Sequence, residues 1–214
     1  MKLEEFDYNL PKELIAQIPS QKREQSKMLV LNRQASCFED KHFFDIVDFL
    51  DENDFLVLNN TKVIPARLFS VKDTGAKIEI FLVREIEKTI WIALIKPSKR
   101  VKPDMVLTIG EHLSVKILEK LDDKWKIQLI YSGNIFEILG EHGNIPLPPY
   151  IERNMTSEQY KNLDFERYQT VYAKHEGSVA APTAGLHFTP DILQKLEEKG
   201  VKKAFVNLNV GLGT

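Results

Sequence analysis

Between residues 68 and 130 the chain repeats one pattern six times, and that repetition limits the folds open to it more than any other feature. Segments rich in Ile, Val, Leu, Phe and Trp fall at 68–71, 77–84, 90–95, 105–109, 113–119 and 124–130, with turn residues between them. Lys77-Ile-Glu-Ile-Phe-Leu-Val83 opens with strict apolar–polar alternation, as does Trp125-Lys-Ile-Gln-Leu129. Alternation with period two marks a strand with one buried face. Several short strands at this spacing predict a small antiparallel barrel or sandwich.

The flanking sequence has a different character. Residues 11–17 predict a short helix with Leu14, Ile15 and Ile18 on one side, and residues 43–50 a second, with Phe44, Val47 and Leu50 three apart. Strands are expected at 28–31 and 36–38 around the turn Asn32-Arg33-Gln34, at 55–58 running into Asn59-Asn60, and as a buried strand at 205–210. Thr189-Pro190-Asp191 reads as N-cap, N1 proline and early acid of a helix over 191–199, closed by Gly200. The expected fold is therefore a mixed α/β main domain, residues 1–65 and 149–214, with a small antiparallel all-β barrel domain, 66–148, inserted into it. Pro65 and Pro146-Leu-Pro-Pro149 mark the two crossings.

Composition excludes several classes. A net charge of −2 argues against a whole-surface grip on nucleic acid but leaves room for a local basic patch. Cys37 is the single cysteine, so there is neither a disulfide framework nor a cysteine metal cluster. No apolar run reaches membrane length, and the acidic start Met1-Lys-Leu-Glu-Glu is unlike a signal peptide, so a cytoplasmic location is the default. His42, His112, His142 and His175 lack metal-ligand spacing, and no Walker loop or dinucleotide GxGxxG is present.

The segment Gly177-Ser-Val-Ala-Ala-Pro-Thr-Ala-Gly-Leu-His-Phe188 holds two hydroxyls, one imidazole and two glycines just before a helix start. Small residues there often serve only close packing of strand on helix. Alternatively, such a loop presents amides to an anion or polar ligand. Amides and dipole at the helix start also favour a neutral His187, the form a general base needs near pH 7.

Other candidates each carry two readings. Asn59, Asn60 and Thr61 follow a buried strand, where they either read a polar ligand or form an Asx turn. Arg67 is either a bidentate anion ligand or a surface ion pair. Tyr150, set by the prolines before it, either stacks on a base or packs a hinge. Tyr168 and Tyr172 share a face at helical spacing, usually a core pair, and Gln169 has the groups to bond a purine edge. Lys96-Pro-Ser-Lys-Arg-Val-Lys102 holds four cations and no acid, a solvated loop or an RNA-backbone contact.

Val-Ala-Ala-Pro-Thr-Ala-Gly-Leu-His-Phe188 resembles the signature of the S-adenosylmethionine:tRNA ribosyltransferase-isomerases, a family of queuosine synthesis. Four further blocks resemble the same family, in order: Leu10-Pro-Lys-Glu-Leu-Ile-Ala-Gln17, Leu58-Asn-Asn-Thr-Lys-Val-Ile-Pro-Ala-Arg-Leu68, Ile145-Pro-Leu-Pro-Pro-Tyr-Ile-Glu-Arg153 and Glu166-Arg-Tyr-Gln-Thr-Val-Tyr172. The resemblance implies the inserted-barrel arrangement. It also implies transfer and isomerisation of the ribose of S-adenosylmethionine onto 7-aminomethyl-7-deazaguanine in a tRNA anticodon. Epoxyqueuosine-tRNA forms, and adenine and methionine leave. Tranfer of this kind needs no metal or redox cofactor, because S-adenosylmethionine is the ribosyl donor. A monomer is expected.

On this resemblance His187 is the leading acid/base residue and Thr183 orients it or bonds a ribose hydroxyl. Asn59, Asn60 and Thr61 hold adenosine or its ribose, and Arg67 takes the methionine carboxylate or an anticodon phosphate. Gln169 bonds a base edge, and Tyr150 and Tyr172 stack on bases. Three positions depart from the family pattern: Lys27 stands for a usual arginine, and Asn207 and Asn209 for threonine and histidine. The family also continues past the counterpart of Thr214, so a C-terminally short chain is expected. A truncated, non-catalytic RNA-binding protein of the same fold is the alternative, and a methyltransferase a weaker third reading.

Overall fold

The computed structural model describes residues 2–153 and 158–211. Short 3-10 turns at Leu3–Phe6, Lys12–Leu14 and Arg23–Gln25 lead to an antiparallel hairpin of β1 (Lys27–Asn32) and β2 (Cys37–His42). The expected helix over 11–17 is only the turn Lys12–Leu14, and Leu14 and Ile18 of its apolar side are exposed. Pro11 and Pro19 bracket the stretch and leave no room for a stable helix. The expected helix over 43–50 is a 3-10 helix, Phe43–Phe49, started by the His42 N–H donating to Asp45 Oδ2 at 2.9 Å.

Next come β3 (Phe55–Asn59) and β4 (Thr61–Val63), separated by Asn60 alone. A six-stranded antiparallel sheet follows: β5 (Arg67–Val71), β6 (Lys77–Glu87), β7 (Ile90–Lys96), β8 (Val106–Gly110), β9 (Leu113–Leu121) and β10 (Lys124–Tyr131). Its order is β5-β6-β7-β10-β9-β8. The sheet curls until its edges nearly meet, and the Ser70 hydroxyl on β5 donates to the Thr108 carbonyl on β8 at 2.8 Å. All six expected strands are present, in the expected places. Alternate residues fill the interior: Ile78, Ile80 and Leu82 from β6, Val115 and Ile117 from β9, Ile127 and Leu129 from β10. Each fully buried Ile or Leu contributes ~1.5–3 kcal/mol, so strict alternation over so many strands fixes register firmly.

Helix α1 (Ile135–His142) closes one side of this core with Ile138 and Leu139. It was missed as a helix, although Asn134 caps it by accepting from the Phe136 N–H at 3.0 Å and Glu137 stands three residues on. Entry and exit of the barrel segment are zipped together: Arg67 N–H donates to Asn144 O at 3.1 Å and Asn144 N–H to Arg67 O at 2.9 Å. Gly143 is required here, because a Cβ would sit 2.1 Å from the Pro65 carbonyl.

The remaining elements are α2 (Glu158–Arg167), β11 (His175–Ser178), a 3-10 turn Thr183–His187, α3 (Pro190–Glu198) and β12 (Lys202–Val206). β11 runs parallel to β4 and β12 parallel to β3, giving a mixed α/β structure. Asn60 is the pivot: its N–H donates to Val206 O at 2.9 Å, and its carbonyl accepts from Lys174 N–H at 2.8 Å. α3 matches expectation, with Thr189 Oγ1 accepting from Ile192 N–H at 3.2 Å and Pro190 at its first position. Ile192 and Leu196 pack on Leu58, Phe188 and Val201.

The expected buried strand over 205–210 is corrected. β12 ends at Val206, and Phe205 and Leu208 are exposed. Only one face of the β3–β12 pair rests on α3. On the other face Phe55 is 57 % and Val57 61 % exposed, although parallel strands are ordinarily covered on both sides.

Candidate active site

The signature segment begins on β11, continues through 179–182 and coils into the 3-10 turn Thr183–His187. Gly185 allows this turn: a Cβ there would lie 2.2 Å from Tyr172 Oη and 2.9 Å from Thr170 Cγ2. The half-buried His187 ring lies 5.3 Å from Phe43, centroid to centroid. Its pKa lies below the ordinary histidine value, first because burial disfavours the cation. A hydrogen bond to the Arg23 backbone opposes this, and the Arg23 and Arg167 charges add to it. His187 is therefore held neutral by desolvation and two guanidinium groups.

Those two arginines were not singled out from sequence. Arg23 Nη1 donates to Leu186 O at 2.9 Å and to Arg167 O at 3.3 Å, and its Nη2 donates to Glu166 O at 2.6 Å. Arg167 Nη1 donates back to Ser20 O at 2.9 Å. The pair pins the N-terminal segment onto the signature turn. Arg153 and Asp164, also missed, form a largely buried bidentate pair at 3.1 Å beside them. No local pattern in the sequence reports such partners. The one available hint was the basic residues Arg153 and Arg167 inside the motif blocks.

A cleft of ≈ 410 Å³ opens between the proline segment Pro146–Pro149 and the signature residues Val179 and Ala180. Arg67, Phe81, Tyr150, Tyr168 and Gly211 complete its walls. That size suits a nucleoside-scale ligand. Arg67 and Tyr150, 83 residues apart in sequence, thus meet in one site. Arg67 lies 5.8 Å over the Phe81 ring, and its Nε is 3.4 Å from Glu79 Oε1. Tyr150 is exposed at the mouth, while its carbonyl accepts from Gln17 Nε2 at 3.0 Å. Tyr168 is buried and hydrogen-bonded to the Ala181 backbone, with burial raising its pKa.

Other sequence candidates are committed within the chain. Asn59 Nδ2 donates to Leu208 O at 2.9 Å, and its Oδ1 accepts from Leu208 N–H at 3.1 Å. Thr61 Oγ1 donates to Asn209 Oδ1 at 3.1 Å. Val63 N–H donates to Gln169 Oε1 at 3.0 Å, and Gln169 Nε2 donates to Val63 O at 3.2 Å. These amides extend strand pairing. Asn60 differs: its Oδ1 is buried with no hydrogen-bond partner among the described residues. Thr183 is exposed, and its hydroxyl donates to Ala181 O at 3.3 Å rather than to His187. The helical pairing of Tyr168 with Tyr172 is corrected. α2 ends at Arg167, so Tyr168 joins Val63, Ile145 and Leu147, and Tyr172 packs by Phe188 and Phe205. Within Lys96–Lys102, Ser98–Arg100 forms a 3-10 turn, Val101 is buried in the barrel core, and the four cations stay exposed, with the Lys72 ammonium donating to the Arg100 carbonyl. A second cleft of ≈ 480 Å³ lies beside Glu176, Gly177 and Asn209 and carries none of the aromatic candidates Tyr150 and Tyr172.

A nearly closed antiparallel sheet, parallel strand pairs beside it and a cation-and-aromatic cleft along one small-residue loop define a mixed α/β protein with a nucleoside-sized site. The chain belongs to the queuosine biosynthesis protein family, whose model matches residues 3–214. It is 51% identical over 215 residues to the S-adenosylmethionine:tRNA ribosyltransferase-isomerase of Sulfurihydrogenibium sp. (strain YO3AOP1), covering 100% of this chain and 62% of that protein. The protein of the same description from Staphylococcus saprophyticus is 49% identical over 217 residues, again with 100% of this chain and 62% of that protein covered. The chain thus spans 62% of the length of these relatives. A crystal structure of S-adenosylmethionine tRNA ribosyltransferase from Thermotoga maritima shares 35% identity over 96% of this chain and 58% of that one, with a TM-score of 0.38. Among the described residues no helix is long and apolar enough to cross a membrane.

Proposed function

We propose that the chain carries the S-adenosylmethionine site of an enzyme that transfers and isomerises ribose onto 7-aminomethyl-7-deazaguanine in a tRNA anticodon. The observation that carries this is the ≈ 410 Å³ cleft, where three motif blocks and the signature residues Val179 and Ala180 converge. Adenosine lies in the cleft with its base against Tyr150, and Arg67 at the rim meets an anticodon phosphate. S-adenosylmethionine is a substrate, and the reaction draws on no metal or redox group.

Chemistry needs a base to take a hydrogen from the ribose 5′ carbon, which the sulfonium acidifies, and a donor to help adenine leave. His187 is the proposed proton-transfer group. Its neutrality supports this, its place outside the cleft lining counts against it, and its variant decides between the two. Residues 1–65 and 149–214 act as one α/β unit with the barrel of 66–148 set into it, a reading supported by the Arg67–Asn144 zipper.

One observation favours a second reading. Asn209 stands where the resemblance places a histidine, bonds Thr61 and lies against Gly177, and an amide transfers no proton near neutral pH. A non-catalytic RNA-binding protein would show this. Adenine release from S-adenosylmethionine, measured with and without tRNA bearing the aminomethyl base, separates the two. Release that needs this tRNA and falls at least a hundredfold in His187→Ala is expected. Tight tRNA binding without release would favour the second reading, and full activity of His187→Ala would remove the proton-transfer role.

A further inference from the structure

Beside the nucleoside cleft lies a smaller pocket of ≈ 190 Å³, roofed by the N-terminal segment at Ala16–Pro19 and floored by Leu147, Pro148 and Leu186. The two share Leu147, Pro148 and Tyr168 as a common wall. Most of the smaller pocket is apolar, but Gln17, Arg153, Asp164, Arg167 and Thr183 also line it.

Arg167 is half-used. Its Nη1 serves the carbonyls of Ser20 and Gln21 at 2.9 and 3.4 Å. Its Nε is buried and has no hydrogen-bond partner among the described residues. The Nε–Nη2 edge, whose Nε is unpaired, is the edge a guanidinium offers to a carboxylate in a bidentate pair. A buried, unpaired guanidinium donor is costly and calls for an explanation. Asp164 contributes the complementary charge. It is bonded by Arg153 through Nε and Nη2, at 3.1 Å to Oδ2 and 3.1 Å to Oδ1, and a carboxylate retains further lone pairs beyond these. An apolar pocket with an unpaired guanidinium Nε on Arg167, beside a carboxylate already bonded by Arg153, matches a short aliphatic chain that ends in an α-amino acid.

We propose that this pocket holds the aminocarboxypropyl tail of the cosubstrate, with its carboxylate on Arg167 and its ammonium toward Asp164. The inference rests on the nucleoside cleft proposed above and adds a second, tail-reading site across the Pro148–Tyr168 wall. The N-terminal segment then becomes part of the substrate site, held there by the same Arg23 and Arg167 that flank His187.

The test compares two neutral thioether nucleosides that differ only in the tail, S-adenosylhomocysteine and 5′-methylthioadenosine, by calorimetric titration of the 214-residue chain. Wild type should bind S-adenosylhomocysteine about ten- to a hundredfold more tightly, the size expected of a charge-assisted pair. Arg167→Lys, which keeps the charge and loses the fork, and Ala16→Phe, which narrows the pocket from its exposed roof, should each bring the ratio to within about twofold. Ala16 makes no side-chain hydrogen bond, so its variant guards against a folding defect in the first. A wild-type ratio near one, or a preference that survives both variants, overturns the tail pocket and leaves the nucleoside cleft standing. Failure to bind either nucleoside overturns the cleft, and the tail site with it.

Discussion

Gln169 holds both backbone groups of Val63, accepting from its N–H at 3.0 Å and donating to its carbonyl at 3.2 Å. The side chain acts as a one-residue strand along the edge of β4 opposite β11, where Ile64 N–H donates to Ser178 O. Val63 is buried, so water cannot replace these bonds. Gln169→Leu should lower stability by about 1–3 kcal/mol, read from urea unfolding. Nucleoside affinity of the folded fraction should stay within twofold, since the amide is spent on structure.

Gly185 and Tyr172 define a second tight contact. With Tyr172 Oη 2.2 Å from the place of a Cβ, Gly185→Ala should destabilise by about 1–3 kcal/mol. Adding Tyr172→Phe removes the nearest atom and should recover part of that loss. A double-mutant cycle measures the coupling, and strictly additive effects would contradict the contact.

His187 makes stability depend on pH with a definite sign. Its folded pKa lies below the unfolded value near 6.5, so the unfolded chain takes up a proton first as pH falls. The contribution is full above that value and is lost as pH falls through the folded pKa. Between pH 7 and 5 the wild type should therefore lose more stability than His187→Gln does. Equal slopes in paired denaturation series would show that burial does not depress the imidazole.

Arg67 at the cleft rim is proposed to meet one tRNA phosphate. Arg67→Gln should weaken tRNA binding and lower the slope of log K against log salt by about one. Fluorescence anisotropy over a salt series reads both. An unchanged slope would leave Arg67 as the partner of Glu79 alone.

How much of this was legible follows from the range of each interaction. The barrel was readable because alternation is local: Ile78, Ile80 and Leu82 announce a buried face within five positions. α3 was readable because Thr189, Pro190 and Gly200 punctuate it. Arg23 was not, since its acceptor on Leu186 lies 163 residues away. Asn59 and Thr61 were visible as polar residues at a strand end, and Gln169 as a polar residue beside Tyr168 and Tyr172, but sequence does not say whether an amide faces a ligand or a neighbouring strand. Tyr168 and Tyr172 misled because four-residue spacing means one face only inside a helix, and α2 ends before either. β12 read as buried because Phe205 and Val206 are apolar, yet both are exposed.

The central claim is the location of the nucleoside site, and hydrogen–deuterium exchange with saturating S-adenosylmethionine tests it most directly. The cleft geometry predicts slowed exchange at Leu147, Tyr150 and Ile151 and across 178–181, with 59–61 and 206–210 unchanged. Protection confined to 59–61 and 206–210 would put the ligand at the β3–β12 edge and contradict the assignment.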